Sequence, residues 1–205
     1  MDSRYDAAML LGRRTPVTTL LLVAIAICFV LQLLVPGLTE AGDNNRLALQ
    51  GEPWRLVTSM FLHGGWLHLL LNSWALYQLA GLFEILLGSG RLLLVYFLSG
   101  IAGSLASVFW TQLPSVGASG AIFGVLGALI AFLARRRERL TPQAKSLLMQ
   151  LLFWAGLNVF LGFSDRMIDN SAHLGGCAAG LVIGLFLKER PRYLPGPPVP
   201  PVPGM

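Results

Sequence analysis

The chain has 205 residues, 55% of them hydrophobic and only 12% charged, with a mean hydropathy of +0.66. This composition excludes an ordinary soluble domain and leaves a single polytopic membrane domain with short loops. The formal net charge of +5 does not point to nucleic acid, because the basic residues flank apolar runs instead of lining one surface. Cys28 and Cys177 lie inside apolar runs and read as small packing residues, so neither a disulfide nor a metal site is expected, and no cofactor.

Residues 1–16 form a polar N-terminal segment with Arg4, Arg13 and Arg14. Val17–Val35 is uncharged and long enough to cross a bilayer, which takes about 20 residues. Pro36-Gly37 ends it, and no A-x-A-like cleavage site follows, so it reads as a retained span and not as a signal peptide. Residues 38–59 make a mixed loop with Glu40, Asp43, Arg46, Glu52 and Arg55, long enough to carry structure of its own. Trp54 suits the depth of the membrane interface. A second uncharged run, Met60–Phe83, contains His63, His68 and Asn72, and Glu84 and Arg91 frame the turn after it. The 43 residues between Arg91 and Arg135 carry no formal charge. That is about twice one span, so the run folds back on itself at Gln112-Leu113-Pro114-Ser115. The third span is expected at Leu92–Trp110 and the fourth at Gly117–Ala134. A basic loop follows (Arg135, Arg136, Arg137, Arg139, Lys145), then a fifth span at Ser146–Ser164, a polar turn at Asp165–Asp169, and a sixth span at Asn170–Leu187. The tail is rich in proline and is expected to be extended or disordered.

Six spans place both termini on one side. The N-terminal segment, the second–third loop, the fourth–fifth loop and the C-terminal tail hold twelve of the fifteen Lys and Arg residues; the other loops hold Arg46, Arg55 and Arg166. Positive loops stay in the cytoplasm, so both termini are expected inside. The second, fourth and sixth spans then all run from outside to inside. Ser119 falls in the first turn of the fourth, His173 in the first turn of the sixth, and His68 and Asn72 in the outer half of the second. At 1.5 Å rise per residue these side chains share one layer. Polar groups in a span are costly and face a bundle interior or a wet cavity. His68 and Asn72, four apart, lie on one helix face. Gly176, Gly180 and Gly184 form a stripe that permits close helix contact and would bring His173 within reach of Ser119.

This set of residues suits acyl transfer. A serine hydroxyl needs a base, and neutral histidine has the right basicity near pH 7. The oxyanion of the tetrahedral intermediate needs donors, which the Ser119 N–H, the Asn72 amide and a His68 N–H can supply. Asp169 is a candidate either to orient His173 or to cap the sixth helix beside Asn170 and Ser171.

At these positions the chain resembles the rhomboid intramembrane serine proteases. The matching residues are Trp54-Arg55, His63-x4-His68-x3-Asn72, Gly117-Ala118-Ser119-Gly120 and Ala172-His173-Leu174-Gly175-Gly176, on the expected spans, within residues 17–188. The resemblance implies an all-α, six-transmembrane-helix rhomboid-like bundle over 17–188, between an N-terminal cytoplasmic segment, 1–16, and a tail, 189–205. It implies a Ser–His dyad with Ser119 as nucleophile and His173 as general base, and an oxyanion hole of His68, Asn72 and the Ser119 amide. Gly117 and Gly120 support the serine, Trp54 and Arg55 belong to a structural first loop, and Glu84 and Gly88 to a structural turn. His63 is a supporting histidine. Phe123 stands where some members carry a tyrosine beside the catalytic histidine.

The substrates implied are single-span membrane proteins cut near the outer end of the span. They would enter from the lipid past the second and fifth spans, with the loop near Ser164–Asp169 as a cap. The compact loops point to a bacterial cytoplasmic membrane. A non-catalytic binding or chaperone module of the same fold is the competing reading. A solute transporter is disfavoured, because the chain has no internal repeat.

Overall fold

The computed structural model describes residues 15–111, 113–164 and 168–188. The polar N-terminal segment up to residue 14, the tail from 189, Gln112 and residues 165–167 of the expected cap lie outside the described residues.

Eight α-helices occur among the described residues: α1 (Pro16–Leu34), α2 (Leu38–Gly42), α3 (Arg55–Thr58), α4 (Trp66–Leu87), α5 (Ser89–Trp110), α6 (Ser119–Ala134), α7 (Pro142–Ser164) and α8 (Asn170–Phe186). Helices α1, α4, α5 and α7 are long and apolar enough to cross a membrane; α6 and α8 are shorter apolar helices. At 1.5 Å per residue, α6 is about 24 Å long, less than the roughly 30 Å hydrocarbon core. It tolerates this because it is the central helix: every residue from Gly120 to Leu133 is buried. The outer faces of α1, α4, α5, α7 and α8 present large apolar side chains such as Leu34, Leu70, Leu98, Phe160 and Phe186. A water-soluble protein does not expose a continuous surface of this kind.

Helices α6 and α8 pack in near-backbone contact. A Cβ at Gly176, Gly180 or Gly184 would run into the carbonyl oxygens of Gly120, Gly124 and Ala128, respectively. The two series advance together by four residues, so the helices are parallel. The small-residue stripe expected from the sequence therefore exists, and its partner is the helix that begins at Ser119. Helix α7 is the peripheral one: 11% of its apolar stretch is buried, against 50% for α5.

Two expected boundaries are corrected. The second span does not start at Met60. Ser59–Phe61 is a 3-10 turn, Leu62 is extended, and α4 begins only at Trp66. The backbone of His63 cannot join a helix because Gln32 of α1 holds both its ends: the His63 N–H donates to Gln32 Oε1 (2.9 Å), and Gln32 Nε2 donates to the His63 carbonyl (3.1 Å). At the other end α4 continues through Glu84 to Leu87, and Gly88, at φ +99°, turns the chain into α5. Glu84 is buried inside the bundle and does not mark a loop. Its carboxylate accepts from the N–H groups of Val17 (3.0 Å) and Thr18 (2.8 Å), the Thr18 hydroxyl (2.7 Å) and the Ser89 hydroxyl (2.7 Å). It thus satisfies free N–H groups at the start of α1 and ties α1, α4 and α5 together. Smaller shifts place α1 at Pro16–Leu34, α5 from Ser89, α6 from Ser119, α7 from Pro142 and the end of α8 at Phe186. Lys145 suggested a later start for α7, but Thr141 accepts from the Ala144 N–H (3.3 Å) and Pro142 fills the first position, as at an ordinary helix start.

The loop after α1 is structured. Besides α2 and α3 it holds a 3-10 turn, Arg46–Leu49, and an isolated antiparallel bridge from Asn44 to Ser115. Arg55 is buried and pairs with Asp43 (2.9 Å) and Glu52 (2.5 Å), while also donating to the carbonyls of Glu40 and Asp43. Burial pushes the Asp43 carboxyl up from its ordinary range, against the opposing pull of the Asn45 hydrogen bond and the Arg55 charge. Trp54, in contrast, is half exposed at the surface of this loop.

Candidate active site

Ser119 is the first residue of α6, immediately after a chain segment that is held in place from outside the helix. Ser115 exchanges two backbone hydrogen bonds with Asn44 (2.8 and 2.9 Å), and the Gly117 N–H donates to the Ser59 carbonyl (2.9 Å). Gly117 adopts φ +130°, open to glycine and strained for other residues. A Cβ there would lie 2.8 Å from Cε1 and Nε2 of His68 and 3.9 Å from Ser119 Oγ. The imidazole edge of His68 and the serine hydroxyl therefore both border the bare Cα of Gly117.

The His68 tautomer follows from its neighbours. Its Nδ1 accepts from the Gly64 N–H (3.3 Å), so in the neutral ring Nε2 carries the proton, and Nε2 is the atom facing Gly117. His63 packs edge-on against His68 with ring centroids 5.2 Å apart, and is itself buried. Asn72, one turn along α4, is buried and donates one amide N–H to the His68 carbonyl (3.0 Å), leaving its second N–H. No hydrogen bond from Asn72 to Ser119 is present among the described residues.

His173 sits in the first turn of α8 and is buried. Two contacts set it against the start of α6. Ala172, its neighbour, packs on Gly120, the neighbour of Ser119: a Cβ at Gly120 would be 3.4 Å from the Ala172 carbonyl. Its ring stacks on Phe123, with centroids 4.2 Å apart and planes at 9°. Phe123 is one helical turn after Ser119, so the imidazole lies over the α6 face that carries the serine. No hydrogen bond joins Ser119 Oγ to His173 in this structure, and His173 Nδ1 is buried without a partner. Catalytic hydrogen bonds are often long before substrate arrives. Asp169 caps α8 through its Oδ1, which accepts from the Ala172 N–H (3.0 Å); it does not hold the imidazole.

A cavity of about 20 Å³, room for one water, adjoins Ser119 between Asn44, Ser59, Ser104, Gly117, Gly120 and Ala172. The Asn44 Oδ1 is buried without a partner, while its Nδ2 donates to the Ser104 carbonyl (2.9 Å). Asn44, Ser59, Ser104 and Gln32 escape a reading of the sequence. Gln32 alone had a signal, a polar amide near the end of an otherwise apolar span. Trp54 and Arg55 lie apart from the serine, in the loop network. Among the described residues no three His, Cys, Asp or Glu side chains converge to hold a metal ion.

The family model described as Rhomboid domain matches residues 50–190. Rhomboid protease GluP of Bacillus subtilis is 36% identical over 188 residues, which is 87% of this chain and 36% of that protein. RHOMBOID-like protein 5 of Arabidopsis thaliana is 39% identical over 163 residues, 78% of this chain and 52% of its own length. Putative rhomboid protease YdcA of B. subtilis is 36% identical over 159 residues, 76% of this chain and 78% of its own. The chain thus spans about a third of the first of these relatives and about half of the second. The motifs, the apolar helical bundle and these matches agree: the chain is an integral membrane protein of the rhomboid family.

Proposed function

We propose that the chain is an intramembrane serine endopeptidase that cleaves single-span membrane proteins near the outer end of the span. The observation that carries this reading is the approach of two chain segments. Ser119 opens α6 beside the protonated edge of His68, and His173 of α8 is stacked one turn along on Phe123. Ser119 Oγ attacks the scissile carbonyl, and His173 takes its proton. The Nε2–H of His68, the free N–H of Asn72 and the Ser119 amide stabilise the oxyanion; one such donor is worth about 2.7–4 kcal/mol. His173 returns the proton to the leaving amine, and then activates the water that hydrolyses the acyl-enzyme.

In this reading α1, α4, α5, α6, α7 and α8 are six spans, with both termini in the cytoplasm as the Lys and Arg distribution requires. The domain is 17–188, and the membrane is the bacterial cytoplasmic membrane. A helical substrate bond is shielded by its own hydrogen bonds, so the substrate unwinds locally, most cheaply at helix-weakening residues. Entry is lateral, between α4 and α7, and the sparse burial of α7 supports its part in that opening.

The test is cleavage of a single-span reporter in proteoliposomes by the intact protein, Ser119→Ala and His173→Ala, with labelling by a serine-reactive fluorophosphonate. Cleavage and labelling should disappear in Ser119→Ala while reporter binding survives. An intact protein that binds the reporter but neither cuts it nor reacts with the probe is a non-catalytic helix-binding module, and the protease reading fails.

A further inference from the structure

The end of the bundle opposite Ser119 holds a second, larger concavity, of about 720 Å³ and widely open. It forms where α6 and α8, being parallel, end side by side. Arg135, Arg136, Arg137, Arg139 and Lys188 line it with five cations, and Glu138 adds the one carboxylate. Arg136 is a structural member of this group. Its guanidinium lies 3.9 Å over the Phe132 ring and donates to the carbonyls of Phe132 (2.9 Å) and Leu187 (3.2 Å), closing the floor between the two helix ends. Arg91 of α5 donates to the Lys188 carbonyl (2.6 Å) and brings a further positive charge to the same end. The side chains of Arg135, Arg137, Arg139 and Lys188 are exposed, and none makes a hydrogen bond or ion pair among the described residues.

We infer that this pocket binds the phosphate headgroup of an anionic phospholipid. Topology alone asks only for a surplus of positive charge in a loop; it does not ask those charges to converge on a cavity. Four exposed cations, Arg135, Arg137, Arg139 and Lys188, against one acid leave a strong field for a phosphate, and guanidinium groups suit phosphate oxygens. The position of the pocket, at the end of a lipid-exposed helix of a membrane protein, favours a lipid headgroup over a soluble anion. Val182, Leu185 and Phe186, in the last turn and a half of α8 leading into Lys188, are 57%, 47% and 78% exposed. These side chains are exposed on the membrane-facing bundle close in sequence to Lys188, so the basic mouth lies at the end of a helix that lipid surrounds. Basic pockets between membrane helices bind lipid headgroups by this logic. The inference stands apart from the protease reading, because it uses neither Ser119 nor His173.

Native mass spectrometry of the full chain in an uncharged detergent tests it, with dioleoyl phosphatidylglycerol, dioleoyl phosphatidylcholine and inorganic phosphate as separate probes. The intact protein should retain phosphatidylglycerol at least tenfold better than phosphatidylcholine. At about fivefold per cation, Arg137→Gln/Arg139→Gln should weaken that binding by about thirtyfold. Both side chains are solvent-exposed, and an unchanged melting temperature establishes that the variant is folded. Arg46→Gln, which removes an exposed cation from the loop near the other end, should change nothing. Equal loss in Arg46→Gln would show unspecific charge attraction, and retention in the double variant would show that the pocket is not the site. Phosphate that displaces the lipid as effectively as a lipid headgroup, with no preference between the two lipids, would assign the pocket to a soluble anion. Each of these three results overturns the proposal.

Discussion

In the proposed mechanism, Gly117→Ala separates the geometry of His68, the oxyanion donor, from that of Ser119, the nucleophile. The added Cβ would sit 2.8 Å from Cε1 and Nε2 of His68, whereas carbon contacts settle near about 3.5 Å, so the ring must retreat by about 0.7 Å. The same Cβ lies 3.9 Å from Ser119 Oγ, an ordinary contact, and leaves the serine in place. A donor acts on an oxyanion only within about 2.7–3.1 Å, so the displacement removes the His68 contribution, a loss of about 10²–10³ in kcat. The φ of +130° adds about 1–3 kcal/mol of backbone strain, to be seen as a lower melting temperature. The assay is reporter cleavage in proteoliposomes, run as a double-mutant cycle with His68→Ala. If His68 is the group displaced, Gly117→Ala should cost little more once the ring is gone. Full activity in the single variant, or a loss that adds in full on the His68→Ala background, would refute the reasoning.

Three further substitutions probe the supports of the site. Phe123→Leu keeps a buried apolar side chain but removes the stack on His173. A stack is worth about 0.5–1.5 kcal/mol, so kcat should fall about twofold to twelvefold at constant KM, and Phe123→Tyr should restore it. Arg55→Ala strands Asp43 in a buried loop and should cost about 3–5 kcal/mol, read as a drop in the detergent melting curve; a change under about 1 kcal/mol would mean that the pair is solvated. Glu84→Ala leaves the donors of Val17, Thr18 and Ser89 without their acceptor. At about 1–3 kcal/mol for each buried group, amide hydrogen exchange at the start of α1 should rise well before global unfolding, and unchanged protection there would contradict the assigned role.

How far each feature was legible depended on whether its cause was local. The apolar runs locate the helices because desolvating a charge in lipid is costly whatever the neighbours are. That rule misplaced the ends of α4 for the same reason. It read the uncharged His63 as helical and the charged Glu84 as a boundary, whereas Gln32 holds the backbone of the first and four donors from α1 and α5 neutralise the cost of burying the second. Gly176, Gly180 and Gly184 announced a close helix contact by their spacing, and the shared direction of the fourth and sixth spans pointed to the serine helix; the register, with these glycines on the carbonyls of Gly120, Gly124 and Ala128, required the packed structure.

By itself, the sequence determined that this is a helical membrane protein, where its apolar segments lie, and which few polar side chains within them need a purpose. Each of these is a property of one segment in lipid, and periodicity and charge express it directly. Only the tertiary structure decided that Nε2 of His68 faces Gly117, that Phe123 fixes the plane of His173, and that five cations converge on one hollow. Those facts depend on distances between segments far apart in the chain, set by how closely glycine lets two backbones approach, and no local pattern carries them.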